Sequence, residues 1–163
     1  MASGDTLCVF GPASALLPSS NYPQFVVRNN HLVLAFDTTT SETCYFEGVL
    51  PANYGGGGVT IYIGHAAQSA TSGTIGWLTA FERIGDRTHD IDADSFASAN
   101  TLTAVTVSGT AGEVDIVSVA HTSGGQMDSV AVGEGFRLSV ARDTANDTAT
   151  GDAQLLWVEI KET

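Results

Sequence analysis

The feature that most constrains this chain is its punctuation. Gly, Ser, Thr, Asn and Asp recur roughly every 8–12 residues, between short β-branched and aromatic runs. No stretch sustains the 3.6-residue apolar period that an amphipathic helix needs. A chain cut this way pairs strands instead of packing helices. With 163 residues it is long enough to bury the core of one domain.

The strands can be placed one by one. Gln24–Arg28 and His31–Phe36 flank Asn29-Asn30, a dipeptide that tolerates the positive φ of a tight hairpin. Glu42–Leu50 follows, then the turn Gly55–Gly58. In Val59–Ile63 the residues Val59, Ile61 and Ile63 alternate onto one face. Thr74–Ile84 reads as the longest strand, and Leu102–Val107 and Glu113–His121 come next. Phe136, Leu138 and Val140 point inward from Phe136–Ala141, and Gln154–Lys161 is the last strand. Asp92–Ala99 reads as one helical turn, and Gly125–Gly133 as a short helical or irregular crossing. About eight strands with long cross-connections predict an all-β fold, a jelly-roll-like or Greek-key β-sandwich. An up-and-down barrel is the alternative.

Residues 1–24 differ. Three of the four prolines fall there, and prolines hold their predecessors extended. One reading is an extended N-terminal arm lying across a surface, anchored by Phe10, Leu16, Leu17 and Tyr22, ahead of a β-sandwich domain over residues 25–163. The other is an ordinary strand and loop covering the domain's own core.

Charge sets limits on partners. Six Lys+Arg face eighteen Asp+Glu, a formal net charge of -12. Lys161 is the one lysine. Without clustered cations the chain lacks what phosphate neutralisation requires, so no nucleic-acid partner is expected. Polybasic membrane attachment fails for the same reason. No apolar run reaches the roughly 18 residues of a membrane span. Met1–Asp5 lacks a basic start and apolar stretch, so Cys8 and Cys44 are expected as reduced thiols in a cytosol.

Several strands look apolar on both faces. Leu156, Val158 and Ile160 share one side of the last strand, and Leu155 and Trp157 the other. Ile75, Trp77 and Phe81 oppose Leu78, Ala80 and Ile84. A strand in a two-layer sandwich needs one apolar face, so the second awaits a loop, an arm or another subunit. Edge strands are usually protected by lysine or proline, and both are scarce here. A homo-oligomer is expected, with Trp77, Leu155 and Trp157 at its interfaces.

Reactive constellations are weak. Asp86, Asp90, Asp92 and Asp94 could form an irregular calcium loop, but the Gly and Glu of an EF-hand are missing. His31, His65, His89 and His121 have no zinc spacing, and polar strand ends explain His65 and His121. Glu47 and Glu82 could face a groove as a glycosidase pair, as in any sandwich. Tyr45, Tyr54, Tyr62, Trp77 and Trp157 could form a sugar-stacking platform. No nucleophile elbow, phosphate-binding loop or dinucleotide fingerprint is present, so neither a catalytic residue nor a cofactor is expected.

Two segments carry a resemblance. They are Leu50-Pro51-Ala52-Asn53-Tyr54-Gly55-Gly56-Gly57-Gly58-Val59-Thr60-Ile61-Tyr62 and Ser72–Trp77 running on to Ala80-Phe81-Glu82-Arg83. Asp90–Phe96, Met127–Val130 and Gly135–Asp143 add to it. Together they resemble a group of small virion structural proteins of tailed bacteriophages, over roughly residues 45–163. The resemblance implies a jelly-roll-like, non-enzymatic protein, often a homotrimer. It would be a capsid decoration (cement) protein docked on the major capsid protein at the outer surface of the virion, made in the host cytoplasm. A tail- or fibre-associated glycan-binding module is the alternative.

Overall fold

A computed structural model of the protein describes residues 2–163. In chain order the strands are β1 (Thr6–Phe10), β2 (Gln24–Arg28), β3 (His31–Phe36), β4 (Thr43–Val49), β5 (Val59–Ala67), β6 (Thr74–Ile75), β7 (Trp77–Ile84), β8 (Asn100–Thr101), β9 (Val105–Thr106), β10 (Val114–His121), β11 (Gly135–Arg142) and β12 (Ala153–Glu162). The helical segments described are the 3-10 turns Pro12–Ser14 and Gly125–Met127.

The large sheet runs β10-β5-β12-β3-β2, with β1 also on β12. The second sheet runs β4-β11-β7-β8, and β6 and β9 make a small ribbon. Most sheet neighbours are distant in sequence, so the connections cross over. That excludes the up-and-down barrel and leaves the β-sandwich.

The core is the meeting of the two inner faces. Leu34, Phe36, Ile61, Ile63, Val158 and Ile160 come from the large sheet, and Phe46, Trp77, Phe81, Phe136 and Leu138 from the second. Phe36 meets Trp77 edge-on at 5.1 Å between ring centroids. Alternation in β5 and β11 follows the sequence pattern. Asn29 (φ 46°) and Asn30 (φ 64°) both take positive φ, so Arg28 and His31 close the hairpin as a cross-strand pair.

Residues 6–23 belong to the domain. β1 pairs with β12 from Thr6↔Lys161 to Phe10↔Val158, and Phe10 stacks on Phe46 at 5.4 Å. Leu16 and Tyr45 exchange both backbone hydrogen bonds, at 2.8 and 2.9 Å. The segment therefore crosses from one sheet to the other and covers the outer edge of β4. Over residues 6–23 these contacts are those of the second reading, a strand and loop covering the domain's own core; Met1 lies outside the described residues.

Two expected interface residues are core. Trp77 and Leu155 are fully buried. A β-bulge between Leu155 and Trp157 shifts the register of β12 on β5. It reverses the parity of the strand, so Leu155, Val158 and Ile160 all point inward. The second face of β7 is covered from within the chain. Phe96 stacks on Tyr45 at 5.3 Å, and Ala97 donates its N–H to the Phe81 carbonyl. The expected long strand over 74–84 breaks at Gly76, where the Asp143 N–H bonds to the Gly76 carbonyl. The expected helical turn falls at Asp90–Asp94 instead of Asp92–Ala99, closed by Asp94 N–H on Asp90 O. Between residues 100 and 107 only β8 and β9 form.

Candidate functional site: the concave face of the large sheet

The outward residues of the large sheet follow from its register. Ile116, Gly64 and Trp157 stand in one row, and Ser118, Tyr62 and Glu159 in the next. Trp157 lies across Gly64: a Cβ there would sit 2.4 Å from two atoms of the indole and 2.5 Å from a third. Only glycine lets the ring lie flat on β5. Ile116 stands beside it, 62% exposed. Lys161 Nζ sits 5.1 Å from the Tyr62 ring centroid and 3.6 Å from Glu159 Oε1. Thr6 Oγ1 donates to that same oxygen at 2.5 Å.

At the other end of this face lies a groove of about 490 Å³. Val33, Ala66 and Leu156 make its floor, with Arg28 and His31 on one wall and Gly112 and Glu113 on the other. Arg28 Nη1 donates to Ala67 O at 3.2 Å and to Gln154 Oε1 at 2.7 Å. The Gly112 N–H donates to the same Ala67 carbonyl at 3.0 Å. A Cβ on Gly112 would come within 2.6 Å of Arg28 Nη2, and its φ is +88°. β2 and β10 are the outermost strands of the sheet. For Arg28 to touch the turn that precedes β10, the sheet must curl, and its outer face is therefore concave.

Among the described residues, Arg28 on that wall and Arg87 are the arginines without an ion pair. Arg83 pairs with Glu134, Arg137 with Glu82, Arg142 with Asp147 and Lys161 with Glu159. Among the described residues no carboxylate lies within ion-pair distance of Arg28, which is half-buried and anchored by neutral oxygens.

The other expected constellations are placed as follows. Arg137 is in register with Glu47 on β4 and with Glu82 on β7. It bonds Glu82 at 2.7 Å and lies over the Tyr45 and Phe96 rings. Glu82 is buried and also faces His89 at 3.9 Å. Glu82 is therefore tied to the Arg137 guanidinium, while Glu47 is exposed beyond Arg137. In the acidic loop, Asp90 Oδ1 accepts the Asp92 N–H and Asp94 Oδ2 accepts the Asp90 N–H. Among the described residues no three His, Cys, Asp or Glu side chains gather as a metal site.

His65 and His121 are buried inside the sandwich, a correction to their reading as polar strand ends. His65 meets the Trp77 ring at 5.4 Å, and burial lowers its pKa to about 4. His121 lies 2.8 Å from Thr79 Oγ1 and 3.1 Å from Gln126 O, and burial lowers its pKa too. Cys44 is buried and its thiol is pushed up by burial.

Of the residues expected at interfaces, Leu16 and Tyr22 are exposed, Phe10 and Leu17 half-buried against the core, and Trp157 lies on the concave face. Of the five rings expected to form a platform, Tyr62 and Trp157 share that face. Tyr45 is under Phe96, and Tyr54 and Trp77 are buried. The sequence reading missed Arg28, Gln154 and Leu156. The Asn-Asn turn held one signal, because it makes Arg28 and His31 neighbours on one face.

No family model matches the chain, and no curated protein does. Among solved structures it resembles the N-terminal CBM22-1-GH10 modules of Clostridium thermocellum endo-1,4-β-D-xylanase 10B complexed with xylohexaose. That match has TM-score 0.51 and 15% identity, covering 99% of this chain and 28% of that one. A second is Arthrobacter globiformis T6 isomalto-dextranase complexed with panose, with TM-score 0.48 and 15% identity, covering 94% and 22%. The chain thus spans about a quarter of the length of either. The first likeness is one of fold, a β-sandwich.

Proposed function

We propose that the protein is a non-enzymatic structural component of a tailed-phage virion, of the capsid-decoration type. It works by self-association, as a homotrimer, and by docking on the major capsid protein. The observation that carries this reading is the β2–β3 hairpin. Among the described residues, β2 ends the large sheet with no strand on its outer edge. Its sequence, QFVVR, has no lysine, proline or carboxylate to guard that edge. Phe25 and Val27 pair with Leu34 and Leu32. Leu34 is core, so this row continues the core's apolar face, yet Phe25, Val27 (68%) and Leu32 are exposed. An apolar row running out of the core onto an unpaired edge has the makings of an interface. Light scattering over a dilution series tests it. Three chains of 16.9 kDa give about 51 kDa for a trimer, and co-sedimentation with capsid shells reads docking. A monomer at every concentration that also fails to bind shells overturns the proposal.

The concave face favours a second reading, a glycan-binding module of a tail or fibre. Trp157 and Tyr62 offer the ring faces and polar handles that sugars use. The solved xylanase structure, 28% of whose chain this protein matches in fold, is a complex with xylohexaose, which supports a sugar as occupant. A glycan screen tests it: hits that Trp157→Ala abolishes support this reading, and a screen with no hits overturns it.

A further inference from the structure

We infer that the groove lined by Arg28, His31, Glu113 and Leu156 is a carboxylate-reading subsite, and that the sugar it takes is an acidic one, of the uronic or sialic type. This rests on the glycan-binding reading and adds the substrate class.

The argument begins with Arg28. Its Nη1 is held by Ala67 O and Gln154 Oε1, so the guanidinium is fixed before any ligand arrives. Both anchors are neutral, and the nearest acidic wall of the groove, Glu113, is not within ion-pair distance of Arg28. Neither Nη2 nor Nε forms a hydrogen bond within the described protein, and Nη2 packs against Gly112. A planar fork with two donors to spare matches a carboxylate. His31, its cross-strand partner, stands on the same wall and adds a second donor.

The rest of the groove fits a sugar ring better than a bare anion. Val33, Ala66 and Leu156 give an apolar floor for C–H faces. The volume, about 490 Å³, lies within the range of small-ligand clefts. Glu113 stands on the opposite wall, its carboxylate accepting the Ser108 hydroxyl. It can accept sugar hydroxyls, and it repels a second negative group. The net charge of -12 acts the same way. A sugar with one carboxylate is favoured over a polyanion such as a phosphorylated or sulfated chain.

The test is an NMR titration of the isotope-labelled full chain with D-glucuronate, N-acetylneuraminate, D-glucose and acetate. The amides of His31, Gly112 and Val114 are the reporters. The expected result is that one of the two acidic sugars binds about tenfold more tightly than glucose, and that Arg28→Gln removes the preference. Because Arg28 also ties Ala67 to Gln154, the melting temperature of each variant is recorded. Arg28→Lys keeps a cation but loses the fork and is expected to lose most of the preference. If Arg28→Gln does not fold, Arg28→Lys decides, and a preference that survives in it overturns the role of the guanidinium. Glucose shifting these amides as readily as the acidic sugars overturns the inference and leaves the glycan reading standing. Acetate matching the acidic sugars overturns the sugar class. No response to any of the probes, with no hit in a glycan screen, overturns both.

Discussion

Arg142 shows how much one residue can organise. It is fully buried, and its five N–H donors all have acceptors. Nε and Nη2 hold the Asp147 carboxylate at 2.5 and 3.1 Å. Nη1 reaches Phe36 O and Gly151 O, and Nη2 also reaches Ala149 O. The end of β11 is thereby tied to the end of β3 and to the loop leading into β12. Removing the cation would leave the buried Asp147 carboxylate without its ion pair and take a donor from three carbonyls, of which Ala149 O keeps the Thr38 hydroxyl. Arg142→Ala is therefore expected to lose about 3–5 kcal/mol in urea denaturation. Arg142→Lys keeps the charge without the fork and should lose roughly 2 kcal/mol; equal stability of Arg142→Lys and wild type would refute the clamp. Gly64 makes the complementary case, an absent side chain. Gly64→Ala drives a methyl into the Trp157 indole and is expected to cost about 1–3 kcal/mol. The lifted ring should show red-shifted tryptophan emission, and an unchanged spectrum would mean that the ring does not rest on β5.

At the scale of elements, the β2–β3 hairpin is where assembly can be perturbed without touching the core. Val27→Lys places a charge on the open edge, where it meets only water in the monomer. Self-association should weaken by about tenfold or more, in line with about 1.4 kcal/mol or more lost from the interface, with the melting temperature unchanged at dilutions where both proteins are monomeric. Undiminished association would place the interface elsewhere. The same hairpin was legible in the sequence, because two asparagines between apolar runs specify a turn by local chemistry alone. So were β5 and β11, whose alternation depends on nothing outside the strand. β12 was not, because the bulge at Leu155–Trp157 inverts its parity and arises from pairing with β5. Trp77 differs from its expected interface role for a nonlocal reason: its face of β7 packs against Phe36 and His65 of the large sheet, while the opposite face is covered by the chain around Phe96 and Ala97. The groove was hidden for a third reason. Arg28 and Gly112 lie on opposite edges of a sheet, and only its curl brings them together.

For the molecule as a whole, acid is the revealing perturbation. His65 is buried and keeps a pKa of about 4, against about 6.5 in an unfolded chain. Burial is the main cause; Asp115 opposes it and Arg142 reinforces it. Between these two values the unfolded chain binds a proton that the folded chain refuses. Stability is therefore full above about pH 6.5 and falls as pH drops toward 4, by up to about 3 kcal/mol from His65. His121, lowered by burial as well, acts in the same direction. Protonation of surface carboxylates opposes this by relieving the self-repulsion of a chain at -12. That repulsion acts between exposed charges and is screened by salt, whereas desolvation of a buried imidazole is not. In about 0.3 M salt, urea denaturation should therefore show stability declining from pH 7 to pH 4. His65→Leu should flatten the slope by close to 1.4 kcal/mol per pH unit near pH 5. Parallel slopes for the two proteins would mean that His65 is solvated in the folded state, and that the sandwich is open where Trp77 and His65 meet.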